Sequence, residues 1–148
     1  MQQALIAALF IAVLGITGMG QDERKKTGAE AIRRVSTGLR AVAHEGCVVR
    51  GALWSGKMTP GKRVLVPVFL FKNNDYFIVV APDRGRPDPG LKCEMRDVAG
   101  VAQPTTEVRG KNRLVLSFRP KVSGRFYVSL LLPEGAEPAE VSMGYAYE

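Results

Sequence analysis

Two stretches, VLVPVFLF at residues 64–71 and YFIVVA at residues 76–81, are apolar at every position. Read at the strand period of two, Val64, Val66, Val68 and Leu70 face one way and Leu65, Pro67, Phe69 and Phe71 the other. Tyr76, Ile78 and Val80 oppose Phe77, Val79 and Ala81 in the same manner. A third stretch, VSGRFYVSLLLPEG at residues 122–135, puts Phe126, Val128, Leu130 and Leu132 on one face and Tyr127, Ser129 and Leu131 on the other. A sheet apolar on both faces needs two covers. A second sheet supplies one of them. The other has to come from a further element or a partner.

The rest of the chain narrows the choice. Segments 48–54, 63–70, 76–81, 91–97, 102–108, 113–118, 124–132 and 140–147 read as strands. Turn residues separate them: Thr59-Pro60-Gly61, Asn73-Asn74-Asp75, a Pro/Gly loop from 82 to 90, Val98-Ala99-Gly100, Gly110-Lys111-Asn112, 120–123 and 133–138. No helix falls between strands, so no parallel βαβ unit is predicted. Pro67 lacks a ladder donor and places its strand at an edge or a bulge.

One helix is predicted, over 28–44. Thr27-Gly28-Ala29-Glu30 fits a capping box, with Thr27 as N-cap and Glu30 reaching back. Ile32, Val35, Leu39 and Val42 then recur at spacings of three, four and three, and form one apolar stripe. Gly46 is a natural stop, and Gly38 inside the helix costs about 1 kcal/mol relative to Ala. This stripe is the remaining apolar surface after residue 20. It is expected to pack outside one sheet, over some of Phe69, Phe77, Tyr127 and Leu131.

Residues 1–20 read as a signal peptide. The apolar core, 4–16, is shorter than the roughly 20 residues of a membrane span. Gly18 and Gly20 flank Met19 just before Gln21, a small-x-small cleavage pattern, although no Lys or Arg precedes the core. No cysteine ends the run, so a lipid-modified lipoprotein is not expected. The expected organisation is a leader at 1–20, an N-terminal segment at 21–47 and a β domain at 48–148. Export to the periplasm or beyond is expected, with no stable membrane span once the leader is removed; an uncleaved short anchor is the alternative.

The chain carries a net charge of +7. Its bases are spread out, aromatic residues do not interleave with them, and the last stretch is acidic, so a nucleic-acid site is not expected. Export permits a disulfide. With two cysteines in the chain, Cys47 and Cys93, the alternatives are one bridge or two separate buried thiols. One histidine with two cysteines supplies few ligands, so no metal and no cofactor is expected. His44 falls at the predicted helix end, where the dipole favours a cation. Ser55 and Ser123 read as turn residues, and no nucleophile or phosphate-loop motif occurs. No catalytic residues are therefore assigned. Trp54, Tyr145 and Tyr147 read as packing residues.

From about residue 51 to 147 the chain resembles bacterial pre-peptidase C-terminal domains. GALWSGKMTPGKRVLVPVFLFKNNDYFIVVAPD is similar to the opening of that family, LSFRPKVSGRFYVSLLLP to its later segment and AEVSMGYAY to its closing strand. Pro120, Ser123, Gly124, Phe126, Tyr127 and Val128 carry the second match. The resemblance implies an eight-stranded, jelly-roll-like β-sandwich, here preceded by one amphipathic helix, without catalytic residues of its own. Some members hold calcium in an Asp-rich stretch after the third strand. Asp83, Asp88 and Asp97 remain here, but Leu91-Lys92-Cys93-Glu94 replaces the alternating acidic run and Arg84, Arg86 and Lys92 oppose a cation. Six to eight oxygen ligands are not in prospect. The expected function is a non-catalytic exported module that binds a protein or envelope component. A carbohydrate- or polymer-binding module and a hydrolase are the alternatives.

Overall fold

The computed structural model describes residues 19–44, 46–83 and 90–148, with side chains for all of these except 19–27 and 52. The predicted leader core, residues 84–89 of the Pro/Gly loop and Asp88 with them lie outside the described residues. The elements run in the order α1 (Met19–Val42), β1 (Val48–Met58), β2 (Arg63–Leu70), β3 (Tyr76–Pro82), β4 (Lys92–Arg96), β5 (Thr106–Arg109), β6 (Leu114–Phe118), β7 (Gly124–Leu131) and β8 (Ala139–Tyr147).

The strands form two antiparallel sheets, one of five strands in the order β1-β8-β3-β6-β5 and one of three in the order β2-β7-β4. Their facing sides share one apolar core. Val66 and Leu70 of β2, Met95 of β4 and Val128 and Leu130 of β7 meet Ile78, Val80, Leu116 and Met143 of the larger sheet. Trp54, Tyr145 and Tyr147 pack against the same cluster. The Tyr76 hydroxyl, deep in that core, accepts the Phe71 backbone N–H at 2.8 Å and so remains hydrogen-bonded. β2 lies at a sheet edge, which is where Pro67 is tolerated.

The helix covers the outer face of the five-stranded sheet. Val35 and Leu39 are buried against Val79, Ala81 and Ala146, with Val42 and Val115 at the margin. Two physical reasons place it on this face, which carries the expected Phe77 beside Val79 and Ala81, and not on the face of Phe69, Tyr127 and Leu131. The link from α1 to β1 is short, and β1 pairs with β8 in this sheet. In addition, β8 turns only Ser142, Gly144 and Ala146 outward beneath the helix, so the backbones approach closely. Of the residues expected under the helix, Phe69 stays fully outside on the other sheet, at 57% exposure.

Ile32 departs from the expected stripe. It is 39% exposed, whereas Ala31 is fully buried. The contact row therefore runs Ala31, Val35, Leu39 at steps of four, and the small Ala31 suits the close approach. The helix also begins earlier than predicted, at Met19, and ends at Val42. Glu30 does not serve as a capping-box acid. Its carboxylate instead takes Arg33 at 2.7 Å and Arg34 at 3.0 Å. Arg34 also donates to the Pro82 carbonyl at 3.0 Å and ties α1 to the end of β3.

These two guanidiniums hold the Glu30 carboxyl down, from an ordinary 4.5 to about 2, with the Arg33 hydrogen bond as the larger cause. The folded value is depressed. Its small favourable contribution is therefore present at neutral pH and is lost as pH falls through the carboxylate range towards about 2. Carboxyl titration by NMR should find Glu30 at about 2, and the double variant R33Q/R34Q should return it to the ordinary range. An unshifted Glu30 would mean that these pairs are open in solution.

Candidate functional site

The outer face of the three-stranded sheet has no cover among the described residues. β2 turns Arg63, Leu65, Pro67 and Phe69 outward, and Phe71 continues the row. The β2–β7 register sets Leu65 opposite Ser129 and Pro67 opposite Tyr127. The β4–β7 register sets Lys92 opposite Leu131, Glu94 opposite Ser129 and Arg96 opposite Tyr127. The face is thus an apolar column on β2, a mixed column on β7 and a charged column on β4.

Leu65 is 51% exposed and Phe71 58%. The Phe69 and Phe71 rings meet edge to face, with centroids 5.3 Å apart and planes at 66°. Flat stacking platforms need coplanar rings, so this pair does not build one. Ser129 is buried here and accepts a hydrogen bond from Arg63. Glu94 takes Arg96 at 2.6 Å and Arg63 at 3.4 Å, and its carboxyl is held below the usual range chiefly by the Arg96 hydrogen bond. Arg125, Lys72 and Lys92 are exposed around this apolar row, so its surroundings are basic.

The residues weighed for chemistry are dispersed. Ser55 donates to Ser142 Oγ at 2.9 Å. His44 Nε2 meets Glu148 Oε2 at 3.2 Å. Ser142 and Glu148 are separated by about 20 Å of extended chain at strand rise, so Ser55, beside the middle of β8, lies far from His44 at its C-terminal end. Lys57 shares the Ser55 face, yet Ser55 is bonded to Ser142. Asp83 is buried at the end of β3, while Asp97 caps its own turn by accepting the Ala99 and Val101 N–H groups, each at 2.9 Å. Asp83 and Asp97 thus lie on separate loops. An open cleft of about 480 Å³ lies beside β5 and β6, lined among others by Phe77, Thr106 and Ser117. Its charged residues, Asp75 and Arg119, pair with each other at 3.6 Å.

Cys47 and Cys93 are both free. Cys93 faces the core from β4, and burial pushes its thiol far up, with Glu107 adding to the effect. Cys47 is half-buried just before β1. In metal-free, non-reducing buffer the native chain should label at Cys47 and not at Cys93, and both should label in denaturant. Mass spectrometry of the labelled peptides reads this directly. Two unlabelled cysteines in denaturant would reveal a bridge.

The sequence placed His44 only at the helix end and missed Glu148. No local signal could have found it, since the contact depends on the register of β1 against β8. No helix among the described residues is long and apolar enough to cross a membrane. Comparison with family models, curated proteins and solved structures yields no match.

Proposed function

We propose that the chain is a non-catalytic, exported, jelly-roll-like module that docks a protein partner on the outer face of β2 and β7. The observation that carries this reading is the row Leu65, Phe69 and Phe71, each more than half exposed on a regular sheet. Contiguous apolar surface of this kind marks interaction sites. Pro67 removes one donor from β2, which disfavours addition of a strand at that edge, so the partner lies on the face. The basic surroundings select a partner surface with an apolar centre and an acidic rim. Export rests on the leader-like residues 1–20, and the absence of chemistry on the separation of Ser55 from His44 and on the resemblance to pre-peptidase C-terminal domains. The edge-to-face Phe69–Phe71 pair favours a protein over a glycan.

A photo-crosslinking residue in place of Phe71 tests the reading in the native envelope or culture fluid. One discrete protein adduct is expected. It should disappear on Phe69→Asp and be absent when the crosslinker replaces the equally exposed Val108 on the other sheet. Phe69→Asp itself should shift stability within about 0.5 kcal/mol, as exposed substitutions do. Equal adducts at both positions, lipid adducts, or adducts with a second copy of the chain would each overturn the proposal. N-terminal sequencing of the native product tests export independently, and Gln21 is the expected first residue.

A further inference from the structure

We propose that His44, Cys47 and Glu148 form a binding site for a divalent transition metal of the zinc type, at the junction of α1 with the β1–β8 ladder. The inference is independent of the docking face, which lies on the other sheet. One nitrogen, one sulfur and one oxygen donor from these residues all lie within 4.8 Å of one another. His44 Nε2 and Glu148 Oε2 are already 3.2 Å apart. Zn–N of about 2.0 Å and Zn–S of about 2.3 Å at a tetrahedral angle place the donors about 3.6 Å apart. Small side-chain rotations would close the remaining gap. The His44 side chain is 57% exposed, so solvent can reach the site.

Each donor hangs from a backbone that something else fixes. The Cys47 N–H donates to the His44 carbonyl at 3.0 Å, which closes a tight turn through Gly46 at φ +97°. That left-handed conformation is one glycine adopts without cost. Val48 pairs with Tyr147, so the next positions outward across the ladder are Cys47 and Glu148. Glu148 exchanges two backbone hydrogen bonds with Asp75, at 3.0 and 3.2 Å, which hold it beside the start of β3. The site is therefore built by a helix-terminal turn, a strand register and a strand-to-loop clamp.

The donor set selects the ion. Thiolate and imidazole suit zinc and its neighbours in the transition series. Calcium and magnesium require oxygen ligands, and one carboxylate does not serve them. Three protein donors leave a fourth tetrahedral position for solvent or for an outside ligand. The mixed N, S and O set with partial exposure also gives the ion a direct entry path.

Cobalt(II) added to the metal-free full chain is the probe, because a cobalt–thiolate bond gives a near-ultraviolet charge-transfer band. One equivalent should bind, show that band and be displaced by zinc(II). Cys47→Ser should abolish the band. His44→Gln and Glu148→Gln should keep it and weaken zinc binding by more than the roughly 10–100-fold that changes in outer-shell partners cause. Cys93→Ser should change nothing. On the unaltered chain, zinc should protect Cys47 from alkylation, a readout that needs no variant to fold. No charge-transfer band, a band that survives Cys47→Ser, or alkylation of Cys47 unaffected by zinc would overturn the proposal.

Discussion

Leu39→Asp lowers the thermal midpoint by about 12 °C or more, on a loss of at least about 4 kcal/mol at about 3 °C per kcal/mol for a chain of this size. Leu39 is 1% exposed and sits between Val79 and Ala146 on the outer face of the larger sheet. Truncating such a side chain costs about 2–5 kcal/mol in lost transfer energy and cavity. A carboxylate there is also stripped of water without a partner, which adds to the cost. Ile32→Asp is the matched control. Ile32 belongs to the same sequence stripe but is 39% exposed, so its replacement should cost about 1–2 kcal/mol, well below Leu39→Asp. Calorimetry on both variants separates the observed helix face from the one its spacing suggested. Equal effects would mean that the stripe, and not the Ala31-Val35-Leu39 row, meets the sheet. An unchanged midpoint for Leu39→Asp would mean that α1 does not cover the sheet in solution.

The contrast shows what the sequence could convey. Short unbroken apolar runs bounded by turn residues located β2 and β3, because both signals are local. Pro67 placed its strand at an edge for an equally local reason, a missing donor. The helix was legible as an element, but the choice between the face of Phe77 and the face of Phe69 and Tyr127 was not. Val79 and Ala81 look no more attractive than Phe69 and Tyr127 by hydrophobicity, since the decisive quantity is smallness. Ser142, Gly144 and Ala146 alternate with Met143, Tyr145 and Tyr147, and this size alternation marks the face a helix can approach. The start of α1 was misplaced because Thr27 and Glu30 satisfy the capping pattern, whereas Arg33 and Arg34 offer the Glu30 carboxylate a better partner. The meeting of His44 with Glu148 was beyond reach, because it is a consequence of register between strands far apart in the chain.

Gly144→Val is expected to be as damaging as Leu39→Asp, by the opposite mechanism. A Cβ on Gly144 would lie 2.6 Å from the Gly51 carbonyl oxygen and 3.0 Å from Leu39 Cδ1. Leu39 could shift its side chain, but the Gly51 oxygen is backbone. It lies where the β1–β8 register breaks, between Arg50 and Ala52, so moving it disturbs the pairing of β1. Overpacking of this kind costs about 1–3 kcal/mol for small insertions. Valine adds two further methyl groups under the helix, and the loss should reach about 3 kcal/mol or more, near 10 °C in midpoint. Gly38→Ala supplies the comparison. Its added Cβ would sit 2.6 Å from Val79 Cγ1 and from Arg113 Cδ, both side-chain atoms. Arg113 can yield, but buried, β-branched Val79 yields little, so a cost remains, which the gain of about 1 kcal/mol in helix propensity offsets in part. The order of stability should therefore be wild type, then Gly38→Ala, then Gly144→Val. A Gly144→Val chain that melts with the wild type would show that α1 and β1 do not close on β8 at this distance, and with that the tight helix-on-sheet layer would fail.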